Sequence, residues 1–396
     1  QPDQIGWLTD LEDANAGGAL VAVGSGRFLM FGGSRFGLLA STSGISDVMA
    51  FNVAPPTSDL VFENVGVLPV MDSGETGRVG HSATLLTGNH DDSGKVLIIG
   101  GSTDYGDNEN VDPGMYLWDP NTDTVEELAD GPSVFLHQAV EDTNGTVVFS
   151  GGWSATDPEY VLPIRKIFSY DPMTQQSSVV GTSETDLIAH ASARLGDEGV
   201  LICGGITYAE GNTFDVVPTC YLVSTAGNLQ ETEALPLGLM FPGMTTLADG
   251  SVLVTGGLVG STSNLTYADT IEASSTAYRF HEGEWETTGS MANRRAMHSA
   301  TLLPDGRVLI VGGVTSSKSP WANGGTAIAC VEIFDPATNQ FSQLETCDED
   351  DEEGALPART AFPMVATDSE FGTLVVGGIG TDDRPVEGAL FMPTEQ

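Results

Sequence analysis

RAMHSATLLPDGRVLIVGG, residues 295–313, predicts two strands separated by the tight turn Pro304-Asp305-Gly306. The following residues continue the pattern. CVEIF at 330–334 predicts a third strand, Asp335-Pro336-Ala337-Thr338 predicts a turn, and residues 340–344 predict a fourth strand. Four antiparallel strands within about 50 residues are typical of one blade of a β-propeller.

The apolar run that ends in Gly-Gly occurs seven times in the chain. Its second glycines are Gly33, Gly101, Gly152, Gly205, Gly257, Gly313 and Gly378. Successive copies lie 68, 51, 53, 52, 56 and 65 residues apart, and a repeat near this length indicates propeller blades. We expect the glycine pair where the second strand ends close to neighbouring backbone, because a side chain would clash there.

The last copy ends with its third strand, residues 388–394, and leaves no room for a fourth. Gly6-Trp7-Leu8-Thr9 resembles the fourth-strand segment Glu284-Trp285-Glu286-Thr287, so the N-terminal segment is predicted to supply the missing outer strand. This pairing would close the ring and remove an open sheet edge. We therefore predict an all-β fold, a seven-bladed β-propeller of four-stranded antiparallel blades, as one domain over residues 1–396. The predicted blade cores lie near 18–68, 78–129, 134–181, 187–235, 239–291, 295–346, and 359–394 plus 4–11.

The arginine, the histidine, the Gly-Gly strand and the Asp-Pro turn of residues 295–338 resemble the kelch repeat. The resemblance is to the galactose-oxidase-like kelch superfamily, and it covers essentially the whole chain. It implies the propeller fold. It leaves the activity open, because kelch-type propellers include oxidases, a sialic acid mutarotase, plant-type glutaminyl cyclases and pure binding modules.

The charge of the chain restricts its partners. Asp and Glu total 55 against 14 Lys and Arg, a formal net charge of −41, which would repel nucleic acid and anionic lipid surfaces. No run of about 18 apolar residues is present, so we expect no membrane span. Strong acidity favours a salty or external medium, where screening weakens the self-repulsion. The chain begins at Gln1 without a Met or an apolar leader, so we expect a trimmed export signal and an extracellular, periplasmic or cell-surface location.

The four cysteines allow three pairings. The repeat favours Cys330–Cys347, because Cys330 opens a third strand and Cys347 follows the fourth strand of the same hairpin. It also favours Cys203–Cys220, since these residues end the second strand and begin the third strand of one blade. Two disulfides would agree with export.

Long segments are predicted on one face of the ring, where the second and third strands of each blade are joined. These segments are residues 34–47, 102–114, 153–165, 206–219, 258–276 and 314–329. Long loops on a rigid scaffold usually carry binding residues. Trp153 and Trp321 lie in these loops and are candidate ligand platforms. We call this side the loop-bearing face and expect it to bind a protein or carbohydrate ligand, with the chain as a monomer.

One position of the repeat is rich in histidine. Counting back 14 residues from the first glycine of each copy aligns His137, His190 and His298, and an insertion at 88–94 places His81 there as well. This position begins the innermost strand of each blade. The four histidines are therefore candidate ligand-binding residues.

Arginine recurs just before this position, at Arg78, Arg295 and Arg359. In one interpretation the histidines belong to the repeat and hydrogen-bond a neighbouring blade. In the other, His81, His137 and His190 converge on an anionic ligand or on zinc or copper, which would permit Lewis-acid chemistry. We favour a binding module; the alternative is a carbohydrate-modifying or metal-dependent enzyme with an axial site at this ring. No catalytic residue is assigned.

A second candidate metal site is a calcium site in the loop that contains Asp104, Asp107, Glu109 and Asp112. These residues offer closely spaced oxygen ligands but do not match EF-hand spacing. The cofactor prediction therefore stays between calcium and a transition metal. A galactose-oxidase-like copper-radical centre is disfavoured, because all four cysteines have better partners than a tyrosine.

Overall fold

The computed structural model describes residues 6–8, 16–34, 44–54, 59–70, 77–103, 111–154, 162–209, 213–262, 271–315, 327–344, 347, 355–356, 358–380, 386 and 389–393. Within these ranges every helix or strand element is a strand. Short β-rich repeats separated by turns of Gly, Pro and Asp account for this architecture. No helix long and apolar enough to cross a bilayer is found in this part of the chain.

Strand β1 (Gly6–Leu8) precedes six four-stranded antiparallel sheets, each built from one continuous segment. The first blade contains β2 (Ala19–Gly24), β3 (Arg27–Phe31), β4 (Asp47–Ala54) and β5 (Asp59–Val67). The second contains β6 (Ser82–Leu85), β7 (Val96–Ile99), β8 (Met115–Asp119) and β9 (Thr124–Glu127). The third begins with β10 (Gln138–Glu141) and β11 (Val147–Ser150), carries the loop strands β12 (Trp153–Ser154) and β13 (Leu162–Pro163), and ends with β14 (Lys166–Asp171) and β15 (Gln176–Thr182).

The remaining continuous blades follow the same plan. The fourth contains β16 (Ala191–Leu195), β17 (Gly199–Cys203), the loop strands β18 (Ile206–Ala209) and β19 (Thr213–Val216), then β20 (Cys220–Ser224) and β21 (Leu229–Thr232). The fifth contains β22 (Gly243–Thr246), β23 (Val252–Thr255), the loop strands β24 (Leu258–Val259), β25 (Ser261–Thr262) and β26 (Glu272–Ala273), then β27 (Ala277–His281) and β28 (Glu284–Thr287). The sixth contains β29 (Ser299–Leu302), β30 (Val308–Val311), β31 (Val331–Asp335) and β32 (Gln340–Gln343).

A further four-stranded sheet combines the two ends of the described chain. It contains β33 (Met364–Asp368), β34 (Gly372–Val376) and β35 (Ala389–Pro393), and β1 pairs antiparallel with β35 as its outer strand. The first strands of all these sheets contact one another in a closed cycle, in the order β2, β6, β10, β16, β22, β29, β33 and back to β2. The sheets therefore surround a common axis.

The predicted fold class of seven blades needs a correction in its count. Among the described residues, the blades that are continuous in sequence number six rather than seven. Seven four-stranded sheets are reached only by including the composite sheet, in which β1 takes the outer position beside β33, β34 and β35. The long loops also contain the additional sheets β12–β13, β18–β19–β25 and β24–β26, which were not predicted from the sequence.

The two predicted disulfides are confirmed. Cys203 and Cys220 are directly opposite residues of β17 and β20, with Cα atoms 4.2 Å apart. Cys330 and Cys347 bridge the start of the last hairpin of the sixth blade to the chain just beyond it, with Cα atoms 5.5 Å apart. In the chain-entropy model, a bridge that closes a loop of this length contributes about 3 kcal/mol to stability.

Candidate functional site

The Gly-Gly pair forms the seam between neighbouring blades. The second glycine of each pair donates a backbone hydrogen bond of 2.7–2.8 Å to a carbonyl group of the next blade. In every case the acceptor lies three residues before the aligned histidine position of that blade. The donor and acceptor pairs are Gly33–Arg78, Gly101–Val134, Gly152–Leu187, Gly205–Leu239, Gly257–Arg295 and Gly313–Thr360. The glycines adopt positive φ, which other residues rarely do, and leave room for this close approach. The expectation from the sequence is confirmed.

Three of the aligned histidines hydrogen-bond the preceding blade. Ser82 Oγ lies 2.8 Å from His137 Nε2, and Ser150 Oγ lies 2.9 Å from His190 Nε2. Thr255 Oγ1 is placed in the same way, 2.8 Å from the Nε2 atom of the sixth-blade histidine, His298.

The fourth aligned histidine, His81, faces the backbone of Phe31 in the first blade. All four rings are buried. These contacts are what the structural interpretation of the repeat predicts.

Burial keeps these histidines neutral. Desolvation lowers the pKa of His81, His137 and His298 to about 3, and that of His190 to about 4. The positive charges of Arg78 and Arg295 lower the pKa of His81 and His298 further. A neutral ring can still exchange a hydrogen bond with a hydroxyl group.

Replacing His190 with Gln is expected to reduce the pH dependence of stability. The folded-state pKa of about 4 lies below the ordinary value of 6.5, so between these pH values the unfolded chain binds a proton that the folded protein does not. The contribution of the neutral His190 ring to the free energy of unfolding is therefore at its maximum above pH 6.5. Below that pH it falls by up to about 1.4 kcal/mol per pH unit. Urea unfolding at several pH values between 4.5 and 7 measures this slope. The free energy of unfolding should change less steeply with pH for His190→Gln than for the parent protein or for the exposed-site control His281→Gln. Identical slopes for the three proteins would contradict this prediction.

The structure does not group the aligned histidines as a metal centre. In the described ranges no three His, Cys, Asp or Glu side chains lie close enough together to hold an ion. Of the predicted calcium ligands, Asp104, Asp107 and Glu109 lie outside the described residues, and Asp112 is buried in an ion pair with Arg78.

Two of the predicted arginines form buried ion pairs. Arg78 is 1% exposed; its Nη1 contacts Asp112 and donates 2.6 Å to the carbonyl of Gly100, and its guanidinium lies 4.7 Å from the ring centroid of Tyr116. Tyr116 in turn donates a 3.1 Å hydrogen bond to Asp112. These contacts tie the loop before β8 to the segment before β6 and to the end of β7 in the same blade.

Arg295 occupies the equivalent place in the sixth blade. Its Nη2 donates 2.6 Å to Glu332 Oε1, and its Nη1 donates to the carbonyls of Gly312 and Cys330 at 2.9 and 3.1 Å. Glu332 stands opposite Ile310 in register, just as Tyr116 of the second blade stands opposite Ile98. These two arginines therefore bind parts of their own blade.

The third predicted arginine is displaced by one residue. Thr360, rather than Arg359, lies three residues before the histidine position of the last sheet, which Pro363 occupies. Thr360 Oγ1 donates 2.9 Å to the carbonyl of Gly377, as Arg78 and Arg295 donate to the corresponding glycines. Arg359 is half-buried and has its own contacts.

The residue just before the histidine position has a left-handed backbone in every sheet. Its φ lies between 51° and 70°. We call this set the collar; it consists of Gly17, Gly80, Leu136, Ala189, Phe241, Met297 and Phe362. Backbone hydrogen bonds of 2.7–3.1 Å join consecutive members at Gly80–Gly17, Leu136–Gly80, Phe241–Ala189, Met297–Phe241 and Phe362–Met297. The collar was not predicted, although glycine at this position in the first two copies was a detectable signal.

The collar side chains continue an apolar cluster of the loop-bearing face. Ala189 and Met297 are buried in it, while Phe241 and Phe362 pack against it and stay half-buried. The two phenylalanine rings meet edge to face, with centroids 5.4 Å apart. Leu136 is 38% exposed. Apolar surface is thus presented where the blades meet at the axis.

Of the two predicted tryptophan platforms, Trp153 is half-buried on β12 and packs against this cluster. Trp321 lies outside the described residues.

Comparison with known proteins identifies the repeat. A family model described as the kelch motif matches residues 294–347, the sixth blade. A solved structure of YjhT is similar with a TM-score of 0.57 and 16% sequence identity, over 83% of this chain and 97% of that chain. A fungal alcohol oxidase of the AA5 family, in complex with copper, is similar with a TM-score of 0.64 and 13% identity, over 99% of this chain and 77% of that chain. At these identities the similarity concerns the fold. No curated protein matches the sequence.

The residues present do not fit a copper centre built on a cysteine-linked tyrosine. All four cysteines are bound in disulfides. Tyr116, Tyr221 and Tyr278 are buried between blades at equivalent register positions of their third strands.

Proposed function

Because the chain is a kelch β-propeller, we propose that it acts as a binding module that holds a protein partner against the collar on its loop-bearing face. Kelch propellers display loops on a rigid ring, and this architecture suits recognition of a partner. We place the protein outside the cytoplasm, an assignment supported by its two disulfides and its net charge of −41.

The residue types of the collar carry the proposal. A positive φ costs a non-glycine residue about 1–2 kcal/mol, and glycine meets this requirement at Gly17 and Gly80. Leu136, Phe241 and Phe362 adopt the same backbone without that relief, yet none is fully buried. Side chains kept at strained positions and left partly exposed favour a role in binding.

The charge of the protein restricts the partner. The collar is apolar, whereas the molecule as a whole carries 55 acidic residues against 14 basic ones. A partner that inserts an apolar side chain at the axis and surrounds it with Lys or Arg would be complementary in both respects. Such a surface would also be attracted over a distance at low salt.

Changing Leu136, Phe241 and Phe362 together to glycine should separate binding from folding. Relief of backbone strain, about 1–2 kcal/mol per residue, should offset much of the lost apolar contact, so we expect the melting temperature to change by only a few degrees. Binding should fall at least about tenfold, because apolar anchors at the centre of an interface supply most of its energy.

The measurement is quantitative cross-linking of the protein to partners in extracellular fluid from its source. The comparison is with the triple glycine variant and with Phe62→Ala, which truncates an exposed ring on the outer strand β5. Equal recovery of the same cross-linked partner by parent and triple variant would contradict the proposal.

A further inference from the structure

A second group of exposed side chains lies on the loop-bearing face, beside the apolar cluster that the collar side chains also contact. Its centre is Tyr208 on β18, which pairs in register with Phe214 on β19. Phe214 also pairs with Thr262 on β25, a strand from the loop of the fifth blade. Loops of two blades therefore fix the backbone of Tyr208 in one small sheet.

The aromatic rings of this group form a supported platform. The centroid of Tyr208 lies 4.3 Å from that of Phe214, which is 8% exposed, and the two rings are tilted by 57°. Trp153 meets Tyr208 edge to face at 6.0 Å. Tyr208 itself is 40% exposed, so part of this residue is open to a ligand.

A carboxylate is held directly beside this platform. Asp186 Oδ2 accepts hydrogen bonds from the backbone N–H of Tyr208 at 2.9 Å and from Thr207 Oγ1 at 3.2 Å. These bonds fix the carboxylate through Oδ2, and Oδ1 lies 4.0 Å from Arg165 Nε; the Asp186 side chain is 13% exposed. Burial raises the pKa of the Tyr208 hydroxyl, and the negative charge of Asp186 raises it further, so the hydroxyl stays protonated.

A guanidinium completes the group. Arg165 Nε donates 3.1 Å to the carbonyl of Ser183, and Ser183 Oγ donates 2.9 Å to the carbonyl of Arg165. This reciprocal pair orients the arginine, whose side chain is 46% exposed. Its terminal Nη groups have no acceptor in the part of the chain that the structure describes, so they can donate to a ligand.

We propose that Tyr208, Trp153, Asp186 and Arg165 form a binding site for a neutral pyranose residue of a saccharide. The C–H face of a pyranose ring is apolar and packs on the electron-rich face of an aromatic ring. Its adjacent hydroxyl groups both donate and accept hydrogen bonds, which matches a fixed carboxylate beside a guanidinium. A net charge of −41 opposes acidic sugars. The site uses none of the collar residues, and the proposal does not rest on the proposed protein partner.

Isothermal titration with cellohexaose, laminarihexaose, mannohexaose and xylohexaose tests the site, with oligogalacturonate as the acidic comparison. We expect at least one neutral hexaose to bind with a Kd of about 0.01–1 mM, which is ordinary for a shallow site with few hydrogen bonds. Tyr208→Ala and Arg165→Met should each weaken binding at least about tenfold. Tyr208→Phe, which keeps the ring, should retain most of the affinity.

Matched variants make the outcomes distinct. Phe62→Ala removes an exposed ring elsewhere, and the triple glycine variant of the collar should bind the hexaose as the parent does. Near-ultraviolet circular dichroism checks that each variant is folded. The proposal is overturned if no neutral hexaose binds below 5 mM, if only oligogalacturonate binds, or if folded Tyr208→Ala and Arg165→Met variants bind like the parent. Loss of binding in the collar variant alone would place the sugar at the collar and likewise overturn it.

Discussion

Replacing Glu332 with Leu is expected to lower the free energy of unfolding by about 3–5 kcal/mol. Glu332 and Arg295 are both 0% exposed, and the carboxylate also accepts hydrogen bonds from the backbone N–H groups of Ala292 and Asn293 at 2.7 and 3.1 Å. Burial already lowers the pKa of the Arg295 guanidinium, and Glu332 opposes that shift. Without the carboxylate, a buried positive charge and two buried N–H groups lose their partner.

Urea unfolding of three variants separates the charge from the packing. The double variant Arg295→Met with Glu332→Leu should regain part of the loss, because no unpaired charge remains. Glu284→Leu, on the exposed outer strand β28, is the control and should change stability by no more than about 0.5 kcal/mol. A loss below about 1 kcal/mol for Glu332→Leu would contradict a structural role for the pair.

Gly151→Ala is expected to cost about 3–5 kcal/mol, combining backbone strain with overpacking. Gly151 has φ +64°, and a Cβ atom there would lie 2.0 Å from the carbonyl oxygen of Leu187 and 2.6 Å from His190 Cε1. Both atoms belong to the next blade, so the blades would have to separate at this seam.

Gly283→Ala is the matched control for that change. Gly283 also has a positive φ, +84°, but a Cβ atom there would meet nothing within 4 Å, so only the strain of about 1–2 kcal/mol remains. The difference in the free energy of unfolding between the two variants measures the cost of crowding at the seam. Equal losses would mean that the glycine pair serves backbone conformation alone.

Much of the fold could be predicted from local signals. The turn at Pro304-Asp305-Gly306 and the apolar run after it define β30 (Val308–Val311) and its partner β29. The spacing of the Gly-Gly pairs indicated the length of the repeat. The places of the cysteines within that repeat were sufficient to pair Cys203 with Cys220, because a strand order known from one blade applies to the others.

The collar was less accessible to prediction for a physical reason. A glycine such as Gly80 indicates that φ is positive at its position, because glycine adopts that conformation readily. Nothing in the residue type of Leu136 or Phe241 indicates a left-handed backbone. The contacts of the surrounding blades impose that conformation. The sequence therefore identified this position of the repeat but did not predict its left-handed backbone conformation.

Side-chain direction was similarly out of reach. The alignment placed His137 and His190 at one level of the ring, but whether they meet at the axis or turn toward the preceding blade depends on packing. Their bonds to Ser82 and Ser150 answer that for the residues described. Arg359 is a second example of a side chain whose place could not be predicted. It lies one residue away from the position that Arg78 and Arg295 occupy in their blades, and Thr360 takes that position instead.

The pairing of β1 with β35 also affects the order of events during synthesis. Gly6 pairs with Phe391, so all the residues between these two must leave the ribosome before this contact can form. The six continuous blades have no such delay and can assemble in turn as each emerges. The N-terminal strand must wait as an unpaired edge, exposed to chaperones and to other nascent chains, until the C-terminal strand appears. Closure of the ring is thus the step of biogenesis most open to interference.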